Sequence, residues 1–533
     1  MAVRETPDPS GIAKSPKSPR ARQGFGGSGF CRNAIARPPV FGNRLYRMAS
    51  RAPIYGQSEG WHLGIGDIAD DLGHRVEAMG AGISGALFEP VVRLGVTGPS
   101  RAGKTVFITS LVANLLDRGR MPGLRAEAEG RILSAYLQPQ PDNTVARFDY
   151  ETHLASLTGP APHWPESTRA VSELRLSFRT RPKGVLGGWW GPRTFHLDIV
   201  DYPGEWLLDL ALLDLRYAEW AAETLARLAR RDTAAAYLAA ADACDAAAPL
   251  AEPVARELAA KFAGYLHAAR DAGYSDCTPG RFLLPGDLAG SPALTFAPLG
   301  RPEQCPRGSL WREMERRYEA YKREIVKPFF RDHFARIDRQ IVLVDALGAI
   351  HAGPRAVEDM RRAMSAVLGA FRPGRNRWLS GLLRARRVER ILFAATKADH
   401  LHHSQHKRLT AIMAALTRDA ADRADFAGAH TAAMSIAALR ATVEVTAMHD
   451  GQPLDCVRGR LKCEDREAAF YPGELPDNPA RLMSPAREGA ESWLDADYEV
   501  MAFAPSPLHL KPGEGPPHIR LDRVAEFLIG DKF

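Results

Sequence analysis

Apolar residues recur along this chain with two different periods, and the places where one period gives way to the other mark its elements. Val91-Val92-Arg93-Leu94-Gly95-Val96 is an apolar run of strand length, and the run from Val106 to Leu116 after it predicts a helix that ends at Gly119. Ser172 to Phe178 puts Leu174, Leu176 and Phe178 on one face, and Thr194 to Asp201 does the same with Phe195, Leu197 and Ile199. These alternating segments flank a linker holding Gly187-Gly188 and Gly191-Pro192, which predicts an antiparallel hairpin. From residue 205 to about 275 the chain is dense in Ala, Leu, Arg and Glu, so helices are expected. A Pro/Gly-rich stretch, 279–302, interrupts them, and helix resumes over 310–339. Gln340 to Asp345 and Arg390 to Ala395 read as strands buried on both faces, with a helix near 356–368 between them. Further on, 441–448 and 453–458 can pair around His449-Asp450-Gly451, 471–489 reads as loop, and a helix over 521–529 packs Val524, Phe527 and Leu528 inward. Strands alternating with helices predict an α/β fold with a mostly parallel sheet and one antiparallel hairpin. Upstream, residues 66–87 show Ile68, Leu72, Val76 and Met79 on one helical face.

Between the first strand and the first helix stands Gly98-Pro99-Ser100-Arg101-Ala102-Gly103-Lys104-Thr105. It fits G-x-x-x-x-G-K-[ST], the phosphate-binding loop, in the strand–loop–helix setting that motif requires. Gly98 and Gly103 let the backbone turn its N–H groups inward, so Ser100, Arg101, Ala102, Gly103, Lys104, Thr105 and Val106 are candidate phosphate contacts. Lys104 would carry charge to the β/γ-phosphates, Thr105 would offer a hydroxyl to Mg²⁺, and the helix N-terminus adds its partial positive charge.

Two more motifs follow apolar strands and so fall at carboxyl ends, where ligands bind in such sheets. Asp201-Tyr202-Pro203-Gly204 offers a carboxylate for Mg²⁺ and, at Gly204, an N–H for the γ-phosphate; tying both to one loop makes a switch. Thr396-Lys397-Ala398-Asp399 offers Asp399 to the two N–H donors of guanine and the Lys397 stem to its ring. A switch hydroxyl to complete the Mg²⁺ shell is sought in Trp164-Pro165-Glu166-Ser167-Thr168, with Thr168 favoured over Ser167. Ala437-Ala438 is placed to give a backbone contact to the base. Glu205 stands where many such proteins carry the Gln that orients the attacking water, so slow hydrolysis is expected. Lys104, Glu205 and Thr168 are the candidate catalytic residues; Arg101 and Arg169 are candidate arginine fingers, each read more simply as a solvated arginine.

The strings G-P-S-R-A-G-K-T, D-Y-P-G-E-W, R-F-L-L-P-G-D-L (281–288), D-R-Q-I-V-L-V-D (338–345), A-T-K-A-D-H (395–400) and H-I-R-L-D-R (518–523) together resemble the bacterial YcjX-like GTPases. The resemblance runs from about Tyr55 to the C-terminus. It implies a Ras-like P-loop core binding GTP or GDP with Mg²⁺, a large helical insertion, and a link to bacterial stress responses. The spacing from Asp201 to Thr396 asks for an insertion independently, since one β–α–β step needs only a few dozen residues. The expected divisions are 1–57, a basic disordered extension; 58–205, the first part of the core; 206–337, the helical insertion; 338–450, the second part of the core; and 451–533, a C-terminal extension packing on it.

Charge changes this picture little. The net +7 resides in residues 1–50, where Arg4, Lys14, Lys17, Arg20, Arg22, Arg32, Arg37, Arg44 and Arg47 face Glu5 and Asp8, so a nucleic-acid partner is not indicated. That segment is Arg-rich and acid-poor like a transit peptide, but a start at Met48 is the simpler reading. Six scattered cysteines without a C-x-x-C pair fit a reducing cytoplasm. No run is long and apolar enough to span a membrane. Arg372, Arg375, Arg377, Arg384, Arg386, Arg387 and Arg390 cluster around apolar residues, which makes 372–390 a candidate contact for an anionic membrane at its periphery or a solvated helix. His400, His402, His403 and His406 have no Cys or Glu at ligand spacing, so no metal role is assigned to them. The expected activity is slow GTP hydrolysis serving a switch whose protein effector meets the insertion. The alternatives are a nucleotide-gated scaffold that barely hydrolyses and an ATP-using enzyme, which Asp399 argues against.

Overall fold

The apolar runs become a sheet whose strands carry one residue to each face in turn. The computed structural model describes residues 89–99, 101–166, 170–183, 191–369, 388–449, 451–462, 464, 466–493, 498 and 500–533. The strands of the large sheet are β1 (Val91–Thr97), β2 (Ile132–Gln138), β3 (Ala146–Arg147), β4 (Ser172–Thr180), β5 (Arg193–Asp201), β6 (Arg339–Val344), β7 (Arg390–Ala395) and β8 (His430–Ser435). Their order is β2-β4-β5-β1-β6-β7-β8, with β3 beside β4. β5, β1, β6, β7 and β8 run parallel, and β4 runs antiparallel to β5 as the hairpin pattern required. β4 is also antiparallel to β2, an edge strand the residue pattern does not announce. This is the mixed, mostly parallel sheet of a Ras-like P-loop fold. A second sheet holds β9 (Thr442–His449), β10 (Gln452–Arg460) and β11 (Glu467–Phe470), all antiparallel. The boundary expected at 450 therefore falls in the turn of one hairpin.

The longer helices are α1 (Lys104–Leu116), α2 (Tyr150–Thr158), α3 (Gly204–Leu208), α4 (Tyr217–Leu228), α5 (Ala235–Asp242), α6 (Glu252–Asp271), α7 (Leu310–Tyr321), α8 (Lys327–Asp332), α9 (Ala346–His351), α10 (Pro354–Gly369), α11 (His406–Phe426), α12 (Ala480–Glu488) and α13 (Leu521–Ile529). Helix α1 ends at Leu116, with Asp117 extended, rather than at Gly119. Gly119 is small for another reason: a Cβ there would stand 2.8 Å from the Gly513 carbonyl oxygen. Helix α12 occupies a stretch expected to be loop.

Two apolar cores flank the sheet. On one face Leu94, Val96, Ile341, Leu343, Leu392 and Ala394 pack with α1 and with Val524 and Leu528 of α13. On the other, Val342, Val344, Ile391 and Phe393 join the aromatic core of the helical region, which includes Trp220, Phe262, Phe296, Trp311 and Tyr318. The helices between β5 and β6 are thus continuous with one sheet face through a shared core. The N-terminal residues 1–88 with their expected helix over 66–87, the linker glycines at 187 and 188, and the arginines from 372 to 387 lie outside the described residues. Arg390 is described, and belongs to β7, with its guanidinium donating to the Phe527 carbonyl.

Candidate functional site

The three motif loops stand together because their strands share one direction. β1 lies between β5 and β6, with Val96 opposite Asp201, so the phosphate loop and the Asp201 loop leave the sheet side by side. β7 places Thr396 one strand beyond β6, where the Thr396 N–H donates to the Val344 carbonyl at 2.9 Å.

The phosphate loop shows why its residues are what they are. Gly103 has φ 86° and Gly98 φ 156°, and a Cβ on Gly98 would stand 2.2 Å from the Leu343 carbonyl oxygen. Arg101 also holds a left-handed φ of 66°. The Lys104 ammonium, nearly buried, donates to the Gly98 carbonyl at 2.9 Å and lies 3.4 Å from that of Pro99, so it is held over the loop. Ala102 is buried, and Val106 follows in the first turn of α1. Thr105 Oγ1 lies 3.5 Å from the Glu166 carbonyl oxygen. The segment searched for a switch hydroxyl therefore reaches the Thr105 hydroxyl. Ser100, Ser167, Thr168 and Arg169 lie outside the described residues. Arg101 leans outward, 3.7 Å from Asp271 at the end of α6.

Asp201 is buried at the last position of β5. Gly204 sits against the phosphate loop so tightly that a Cβ would stand 1.9 Å from the Gly98 carbonyl oxygen. Glu205, buried, follows it in α3. A hydroxyl from Thr105 and a carboxylate from Asp201 are hard oxygen donors of the kind Mg²⁺ takes, so this pair fits that ion.

What the sequence did not disclose is how the helical region grips this loop. Gly280 lies on Glu205, where a Cβ would stand 2.2 Å from the Glu205 carbonyl oxygen. The Gly280 N–H donates to Asp209 Oδ1 at 2.7 Å, and the Tyr321 hydroxyl donates to Asp209 Oδ2. Trp206 Nε1 donates to the Leu284 carbonyl at 3.2 Å, and the Arg281 guanidinium stacks 3.2 Å from the Trp206 ring. Burial pushes the Asp209 carboxyl up to about 6 against these hydrogen bonds. A cavity of about 210 Å³ opens beside the phosphate loop, walled by Gly98, Glu205, Cys277, Leu283, Met360 and Met364.

The loop 396–399 is equally constrained. Lys397 takes a left-handed φ of 60°, and its ammonium is paired with Asp345. Asp345 also caps α9 by accepting from the Gly348 N–H at 3.0 Å; the sequence placed Asp345 at a strand end without giving it a role. Asp399 is buried, with Oδ2 accepting from the Ala441 N–H at 2.9 Å and its main-chain carbonyl accepting from the Thr442 hydroxyl. One carboxylate oxygen, Oδ2, is thereby held, and the backbone carrying it is tied to Thr442. The Ala437 N–H is engaged by the Ile519 carbonyl at 3.2 Å, so that donor is spent inside the protein.

The four histidines after this loop separate. His400 is buried edge-on to Phe503, and burial lowers its pKa. His406 Nε2 faces the Ala398 carbonyl at 2.8 Å. His402 and His403 meet Glu444 of β9, a carboxylate too far along the chain for spacing to reveal.

A glycine-rich loop between β1 and α1 and carboxylates at the ends of β5 and β7, all on one parallel sheet edge, define a P-loop nucleotide-binding protein of Ras-like architecture. The sequence model of the YcjX-like family, DUF463, matches residues 92–533, and the chain belongs to that family. It is 38% identical over 459 residues to a protein of Escherichia coli (strain K12) named Ras-like GTPase YcjX, covering 83% of this chain and 96% of that one. It is 36% identical over 473 residues to a protein of the same name from Shewanella oneidensis, covering 83% and 94%. Among the described residues no helix is long and apolar enough to cross a membrane.

Proposed function

We propose that this chain binds GTP with Mg²⁺, hydrolyses it slowly to GDP and phosphate, and uses the difference between the two states as a switch. The observation that carries the reading is that Lys104, Asp201 and Asp399 lie at or just beyond the carboxyl ends of β1, β5 and β7, parallel strands of one sheet. Relatives named Ras-like GTPase support it. Lys104 would neutralise the β/γ-phosphates, with the N–H groups of 100–106 around them. Thr105 and Asp201, joined by Thr168, would hold Mg²⁺, which would supply positive charge to offset that of the β- and γ-phosphates. Gly204 would offer its N–H to the γ-phosphate. Asp399, already oriented by Ala441 and Thr442, would accept both guanine donors, and Thr396 and Lys397 would shape the base pocket. Glu205 can take a proton from water, but its charge opposes approach to the γ-phosphate, which makes turnover slow.

The output would lie in the helices of 206–337, a reading supported by the contacts of Gly280, Arg281 and Leu284 with Glu205 and Trp206. A protein effector there, and service in a bacterial stress response, extend the same reading. The test is nucleotide binding with Mg²⁺ by wild type and Asp399→Asn. Wild type is expected to prefer GTP over ATP, and the variant to prefer xanthosine nucleotides. Equal affinity of wild type for ATP would refute the guanine assignment. A second reading, a nucleotide-gated scaffold with negligible hydrolysis, is favoured by Glu205 itself; hydrogen exchange across 206–335 that differs between GTP-analogue and GDP states without measurable turnover would select it.

A further inference from the structure

His402 and His403 follow the base loop, and Glu444 lies on the strand that holds Asp399 in place. His403 Nδ1 is 2.8 Å from Glu444 Oε2, and His402 Nε2 is 3.7 Å from the same oxygen. The candidate ligand atoms all lie within 4.8 Å of one another. The two imidazole rings stand 4.2 Å apart. The other ring nitrogen of His402, Nδ1, faces Asp455 Oδ2 of β10 at 3.2 Å and Ser404 Oγ at 2.9 Å. Arg440 approaches the opposite carboxylate oxygen of Glu444, Oε1, at 3.8 Å. This has the layout of a carboxylate–histidine–metal arrangement: in the metal-bound form Asp455 Oδ2 would take the Nδ1 proton of His402, displacing the 3.5 Å contact by which Nδ1 accepts from the Ser404 N–H, and Nε2 would face the ion. Two imidazoles and one carboxylate select a borderline divalent transition ion such as Zn²⁺ over Mg²⁺, which prefers oxygen donors.

We propose that His402 Nε2, His403 Nδ1 and Glu444 Oε2 form a transition-metal site, with water at the fourth position, that clamps the guanine-recognition loop to β9. The coupling follows from the chain. Ala441 and Thr442, which hold Asp399, lie just before Glu444, and His402 and His403 lie just after Asp399. An ion joining the two segments reduces the freedom of both sides of that contact, so it tightens guanine nucleotide. This second step rests on Asp399 being the base-recognition residue; metal binding itself does not.

The experiment uses the full chain, freed of nucleotide and metal, in excess Mg²⁺ and titrated with Co²⁺. Wild type is expected to bind one equivalent with the intense visible bands of tetrahedral cobalt and no thiolate charge transfer. His403→Ala, at an exposed position that leaves the fold alone, and Glu444→Gln are expected to lose those bands. Asp455→Asn is expected to weaken binding by about tenfold or more. Absence of the bands in wild type, their survival in Glu444→Gln, or a thiolate band placing the ion on cysteine would overturn the site. Affinity for a fluorescent GDP analogue is then measured with and without Zn²⁺. It is expected to rise about tenfold in wild type and not in Glu444→Gln. An unchanged wild-type affinity overturns the clamp, whereas loss of guanine preference altogether would instead indict the assignment of Asp399.

Discussion

Replacing Gly280 by alanine is the most direct probe of the contact between the helical region and the loop at Glu205, and so of the proposed switch. The added Cβ would stand 2.2 Å from the Glu205 carbonyl oxygen, 2.4 Å from its carbonyl carbon and 3.0 Å from the Trp206 nitrogen. All three are backbone atoms, so no side chain can turn away to make room. The two segments must part, and overpacking of this kind costs about 1–3 kcal/mol. The hydrogen bond from the Gly280 N–H to Asp209 is strained by the same displacement. Gly264 supplies the control: it lies in α6, and a Cβ there meets nothing within 4 Å. Gly264→Ala should therefore stabilise by about 0.5–1 kcal/mol through helix propensity. Urea unfolding read by tryptophan fluorescence gives both stabilities, and a GTP turnover assay gives the functional effect. Gly280→Ala should lose stability and change turnover, while Gly264→Ala gains stability and leaves turnover alone. If Gly280→Ala unfolds within about 0.5 kcal/mol of wild type with the same turnover, the contact does not constrain the switch.

Single-turnover hydrolysis by the isolated wild type should run well below about 1 s⁻¹, and Glu205→Gln should be faster because a charge opposing the γ-phosphate is gone. A slower Glu205→Gln would make Glu205 the productive base. Arg231, buried, pairs with Asp276 at 2.6 Å and Asp359 at 2.7 Å. Arg231→Ala should cost about 3–5 kcal/mol in urea unfolding, because Asp359 is left buried without its cation while Asp276 keeps only Arg227 at 3.5 Å; a loss under about 1 kcal/mol would contradict this. Asp209 titrates at about 6 in the folded chain against an ordinary 3.8, so its stabilising contribution is full below the lower value and lost as pH rises through the higher. Asp209→Asn stays neutral, and its stability relative to wild type should improve from about pH 4 to about pH 6. A constant difference across that window would show the carboxyl is not perturbed.

How much of this was legible in the sequence depended on whether the constraint was local. β6, β7 and α13 were readable because each presents an unbroken apolar run or a clean helical face to a core. The phosphate loop was readable because positive φ at Gly103 and close approach at Gly98 demand glycine there. β2 escaped because it is an edge strand whose Leu133 and Tyr136 point outward, 38% and 40% exposed, which erases the alternation. α12 escaped because Pro485 sits inside it. The partners of Glu205, Asp399 and His403 escaped because they come from distant elements: Gly280, Ala441 and Thr442, and Glu444. Only the fold brings them together, and no periodicity records such a meeting.

The pairing of β1 with β6 carries a consequence for synthesis. Arg93 donates its N–H to Asp338 at 3.0 Å, and Leu94 lies opposite Arg339, so neighbouring strands at the centre of the sheet are separated by the entire helical region. The Leu343 carbonyl that presses on Gly98 belongs to the same late strand. On the ribosome the glycine-rich loop emerges long before the wall that shapes it, and β1 waits with an open hydrogen-bonding edge until β6 arrives. Such non-local closure is slow and leaves apolar strand exposed meanwhile. The nascent chain should thus remain unable to hold nucleotide until residues beyond Val344 have cleared the exit tunnel, and its vulnerability to aggregation is concentrated in that interval.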